Sequence, residues 1–117
     1  MVKAAIMVLA GTESHDDLGR LTNALQAAKE FEDEGDDVVV IFDGAGTQWV
    51  PELEEESHNA HALYKALEDD VQVCDFCADA FHVGDEVDES NAERVAEFQG
   101  HPSVRDLVVD GYEVVTF

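Results

Sequence analysis

Positive charge is scarce in this chain: lysine and arginine together number six against 28 aspartates and glutamates, for a formal net charge of -22. Affinity for phosphates comes from cations that displace counterions, so nucleic acid is excluded as a partner and anionic membrane surfaces are disfavoured. Cysteine is almost absent, with only Cys74 and Cys77. They stand too close together to close a useful loop and have no other partner, which excludes a secreted disulfide framework. Proline is limited to Pro51 and Pro102. Neither leads into a strand, so the cis-proline that a thioredoxin-type CxxC centre needs beside it has no candidate. No stretch approaches the eighteen or more apolar residues of a membrane span. The brief apolar run Val2 to Leu9 is expected to be a buried strand rather than a signal segment, and the protein to be soluble and cytoplasmic.

Apolar residues, by contrast, are plentiful at 45%, which is incompatible with a disordered acidic tail. A chain of 117 residues fits one domain, 1–117, burying roughly two-thirds of the surface its unfolded form exposes. The acidic shell repels itself in dilute buffer, whereas at about 1 M salt the screening length falls to about 3 Å. Adaptation to a salt-rich cytoplasm, as in halophiles, is the expectation.

The patterning alternates strand and helix. Val2 to Leu9 ends at Ala10-Gly11-Thr12, and Leu18, Leu21, Leu25 and Ala28 then recur at helical spacing up to a stop at Gly35. A second buried strand, Asp37 to Phe42, runs into the loop Asp43-Gly44-Ala45-Gly46-Thr47. Short helical segments around Trp49 to Leu53 and Ala60 to Leu67 precede a third strand, Val71-Gln72-Val73. Ser90-Asn91-Ala92-Glu93 matches a capping box at a helix start, and Glu97 to Gln99 is a weakly marked strand. Pro102 suits the first turn of a helix to about Val109, Gly111 ends it, and Tyr112 to Phe117 is a final strand. Connections too long for hairpins predict an α/β domain of three layers with a mostly parallel sheet. Ligands in such folds gather beyond the carboxyl ends of strands. The candidate pocket therefore comprises Gly11, Thr12, Asp43, Gly44 and Trp49, with His101, at a strand end just before the last helix, approaching it.

Both cysteines sit where the third strand gives way to a helix, in VQVCDFCADAF. Backbone N–H groups at a helix mouth stabilise thiolate, whereas the charges of Asp75 and Asp79 oppose it. Cys74 and Cys77 are the candidate catalytic residues, and two small apolar side chains packed beneath a helix are the alternative. No metal or cofactor is expected. A site of Cys74, Cys77 and His82 lacks the second CxxC or histidine pair of structural zinc, and His82 turns away from Cys77 on a continuous helix. His58 and His61 share a helix start, the Gly44-Ala45-Gly46 fragment reads as a strand-ending turn, and no G-x-S-x-G elbow supports a hydrolase.

The stretch VQVCDFCADAF, the strand-ending loops, the first-helix pattern Leu21-Thr22-Asn23-Ala24-Leu25 and the closing segment Asp110 to Phe117 together resemble the DsrE/DsrF-like family of sulfur-relay proteins, closest to haloarchaeal members. The resemblance implies a five-stranded parallel sheet, homo-oligomers, and a cysteine that carries sulfane sulfur as a persulfide between donor and acceptor proteins. Cys74 matches the sulfur-carrying position, and Cys77 matches the second cysteine of a subset, as a resolving or supporting thiol. A non-catalytic oligomeric member that binds a partner or small ligand is the alternative it leaves open.

Overall fold

The computed structural model describes residues 1–117. Five strands, β1 (Lys3–Val8), β2 (Asp37–Phe42), β3 (Val71–Cys74), β4 (Glu93–Val95) and β5 (Glu113–Thr116), form one sheet in the order β4-β3-β2-β1-β5. All four pairings are parallel. Six α-helices connect them: α1 (His15–Asp33), α2 (Trp49–Glu54), α3 (His61–Ala66), α4 (Asp75–Ala80), α5 (Gly84–Glu89) and α6 (Val104–Val109).

The strand order dictates where the helices lie. From β1 to β4 each crossover steps the same way across the sheet, so right-handed connections put α1 to α5 on one face. The connection from β4 back to β5 runs the opposite way, and α6 lands on the other face. Side chains alternate accordingly. Ala4, Ile6, Val8, Val38, Val40, Phe42, Val71 and Val73 join Leu21, Leu25, Val50, Leu53, Tyr64 and Leu67 in the main core. Ala5, Met7, Val39 and Ile41 form a smaller one beneath Leu107, Tyr112 and Val114. The third layer is thin: Val104, Val108 and Val109 of α6 remain exposed.

Two sequence expectations fail. Ser90 closes α5 instead of opening a helix: its hydroxyl donates to Val87 O and accepts from Ala92 N. The fourth strand is Glu93–Val95, not Glu97 to Gln99, because an edge strand buried only at Val95 leaves little apolar signal. The helix Gly84–Glu89 has no counterpart among the sequence expectations. No helix is long and apolar enough to cross a membrane.

Candidate functional site

Strand alternation aims Cys74 at its surroundings. Val71 and Val73 face the main core, so Cys74, last residue of β3, points to the α6 side at the carboxyl edge of the sheet. It also caps α4, its Sγ accepting from Cys77 N at 3.4 Å. The β4-to-β5 return passes directly over it. There Phe98 and His101 exchange two backbone hydrogen bonds of 2.9 Å, and Gln99 (φ 53) and Gly100 (φ 86) both lie in the left-handed region, as a two-residue turn of the type I′ class requires. Gly100 O accepts from Phe76 N at 2.9 Å, tying the turn to the start of α4. His101 Nδ1 thereby comes within 3.3 Å of Cys74 Sγ and 4.0 Å of Cys77 Sγ.

Asp43 completes the cluster from the end of β2. Its Oδ1 accepts from Gly44 N at 2.8 Å while Gly44 takes φ +58 to open a 3-10 turn, Gly44–Gln48. Gly46 lets that turn approach β1, for a Cβ there would lie 2.0 Å from Val8 O. One ligand atom each from Asp43, Cys74, Cys77 and His101 lies within 4.8 Å of every other. Three chain segments meet at this point.

Both thiols are free, but the helix-mouth stabilisation expected from the sequence is corrected, because both are enclosed: Cys74 is 0% and Cys77 8% exposed. Burial pushes the Cys74 thiol up to about 12, the Cys77 N–H opposes this, and the Cys77 side chain and then the Asp43 carboxylate, first by its charge, reinforce it. The helix mouth does not win, since α4 is a single short element and the one amide it turns on the sulfur, that of Cys77, meets an enclosed atom. The expected influence of Asp75 and Asp79 is corrected too. Arg94 holds both, at 3.0 and 3.4 Å, along with Asp88 at 2.7 Å. The carboxylate that acts on Cys74 is Asp43.

The remaining candidates lie apart from the sulfurs. Gly11 packs on the 3-10 turn, where an added Cβ would stand 3.1 Å from Ala45 Cβ, and Thr12 follows it, half-buried. Trp49 is buried in the main core and its Nε1 donates to Ala10 O at 2.8 Å, anchoring the loop after β1. His82 is exposed with φ 62, beyond the end of α4. His58 and His61 bond locally, to Ala60 N and Leu53 O. A surface cavity of about 1060 Å³ lies between α1 and the segment Ser57 to Leu63, and none of the four clustered residues lines it. Sequence reasoning missed the Phe98-Gln99-Gly100-His101 turn, although a Gln-Gly pair before His-Pro is a turn signal.

An uncharacterized protein of Methanocaldococcus jannaschii is 27% identical over 95 residues, 81% of this chain and 78% of its own. Among solved structures, a conserved protein of unknown function from Bacteroides thetaiotaomicron superposes with a TM-score of 0.61 at 12% identity, over 97% of this chain and 94% of the other, a likeness of fold. The sequence profile of the DsrE/DsrF-like family matches residues 4–117, and the chain belongs to that family.

Proposed function

We propose that this protein is a sulfur-relay protein in which Cys74 carries sulfane sulfur. The supporting observation is the placement of its Sγ at the carboxyl edge of the sheet, 3.3 Å from His101 Nδ1, in a chain of the DsrE/DsrF-like family, the resemblance to which implied this chemistry. Because the sulfur is enclosed, the turn Phe98 to His101 must lift before a donor can reach it. In the closed state Cys74 gives its proton to His101, 3.3 Å away, and once the turn has lifted the thiolate attacks the outer sulfur of a donor persulfide. A new S–S bond forms, the donor's S–S bond breaks, and the donor leaves as thiolate. Attack by an acceptor thiolate on that same outer sulfur restores Cys74. Exposed Phe76 and Phe98 beside His101 offer apolar contact to either protein.

Complete enclosure of Cys74 favours a second reading, a non-catalytic oligomeric member that binds a partner or small ligand at this edge. Reduced, chelator-treated protein is incubated with a sulfane donor in high salt and weighed intact. The relay predicts one added sulfur on wild type and Cys77→Ser and none on Cys74→Ser. No added sulfur on any of the three refutes the relay and sustains the second reading.

A further inference from the structure

The donor set at this edge has the composition of a closed transition-metal site. Two cysteines in C-x-x-C spacing, one imidazole and one carboxylate converge from the end of β2, the β3–α4 junction and the Phe98–His101 turn. We infer that Asp43, Cys74, Cys77 and His101 form a tetrahedral site for a divalent ion of the zinc class.

The dimensions fit. With bonds of about 2.3 Å to sulfur and about 2.0–2.1 Å to nitrogen and oxygen, tetrahedral ligands stand roughly 3.3–3.8 Å apart. His101 Nδ1 is already 3.3 and 4.0 Å from the two sulfurs, and no pair of ligand atoms exceeds 4.8 Å. Contraction of about an ångström completes the geometry, and each ligand moves on its own side-chain torsions.

The chemistry fits as well. Soft thiolates with imidazole and carboxylate select zinc over calcium and magnesium, which take oxygen. Burial opposes bare thiolates but not metal-bound ones, whose charge the ion neutralises. Supporting contacts are in place: Gly44 N–H fixes one oxygen of Asp43, and Cys77 N–H donates to Cys74 Sγ. Asp43 and His101 are only half-buried and give the ion its way in. On binding, each thiol exchanges its proton for a metal–sulfur bond, and no electron changes hands.

The inference is independent of the sulfur relay, since the four ligands hold an ion whether or not Cys74 ever carries sulfur. Reduced, chelator-treated full-length protein is titrated with Co(II). The expected result is one tight equivalent with the absorption of tetrahedral cobalt and a thiolate-to-metal charge-transfer band, both displaced by zinc. His101→Ala and Asp43→Asn, checked for fold by circular dichroism, are expected to bind about 10-fold or more weakly. Octahedral cobalt without that band, the signature of adventitious surface carboxylates, overturns the site, as does a band unchanged in the Cys74→Ser/Cys77→Ser double variant. A measurement on wild type alone needs no variant: zinc uptake in weak buffer should release about two protons per ion, and release of fewer than about one refutes thiol ligation. Protein that gives the cobalt band yet takes no sulfur after chelation sinks the relay alone, and the converse sinks the metal site alone.

Discussion

Replacing Gly100 by valine is expected to unmask Cys74. In the resting fold Gly100 O lies 3.7 Å and His101 Nδ1 3.3 Å from the enclosed sulfur. Gly100 has φ +86, a conformation in which a β-branched residue is strained, and a Cβ there would stand 3.3 Å from Phe76 Cβ. Strain of this kind costs about 1–3 kcal/mol and falls on the closed turn alone. At 1.4 kcal/mol per factor of ten, the open fraction rises about 5- to 150-fold. The wild-type rate starts low. The thiol titrates ordinarily at 9.0 and is pushed to about 12 by burial. At pH 8 the native thiolate is therefore about a thousandfold rarer than in the unfolded chain. Chelator-treated, reduced protein is treated with iodoacetamide at pH 8, native and in urea, and Cys74 is followed by peptide mass. The reasoning requires native Cys74 to react at least about a thousandfold more slowly than denatured Cys74, and Gly100→Val to recover the stated factor while folded. A native wild-type rate within about tenfold of the denatured one, or a folded Gly100→Val with an unchanged rate, refutes it.

Stability offers further tests. Gly46→Ala forces a Cβ toward Val8 O and should cost about 1–3 kcal/mol, read as a melting point several degrees lower; an unchanged melting point would mean the 3-10 turn does not press on β1. Arg94→Met frees three aspartates and should cost about 1–3 kcal/mol in low salt and less at high salt. A loss independent of salt in urea melts would assign it to packing of the arginine stem. Cys74 deprotonates near 9.0 when unfolded and near 12 when folded, so its contribution is intact below pH 9 and is lost as pH rises from 9 to 12. The stability gap between metal-free wild type and Cys74→Ala should shrink by about 1.4 kcal/mol per pH unit across that window, and a constant gap would contradict the enclosed thiol. With a net charge of -22, the protein is expected to lose ellipticity on desalting and regain it at about 1 M salt; full structure without salt would count against halophilic adaptation.

What the sequence disclosed follows from how local each signal is. The runs ending at Val8 and Phe42 are buried on both faces, and α1 carries Leu21, Leu25 and Ala28 on one side, so these elements are legible from spacing alone. β4 is not, because Glu93 and Arg94 at a sheet edge look like loop. Ser90 and Glu93 have the spacing of a capping box, yet the same serine serves a helix end when the following residues enter a strand. At the site, the strand-end rule pointed to Asp43, Cys74 and His101, while enclosure of the sulfur was hidden. It depends on a turn 24 or more residues downstream folding back over β3. The neutralisation of Asp75 and Asp79 by Arg94 spans 19 and 15 residues and leaves no local trace.

The most direct test follows sulfur itself. Chelator-treated wild type is loaded from a donor whose sulfane sulfur is isotopically labelled, freed of donor, and chased with an acceptor thiol in high salt. The account predicts that the label resides on the peptide containing Cys74 and moves stoichiometrically to the acceptor within one turnover. Label that never enters that peptide, or enters and does not leave, would contradict it.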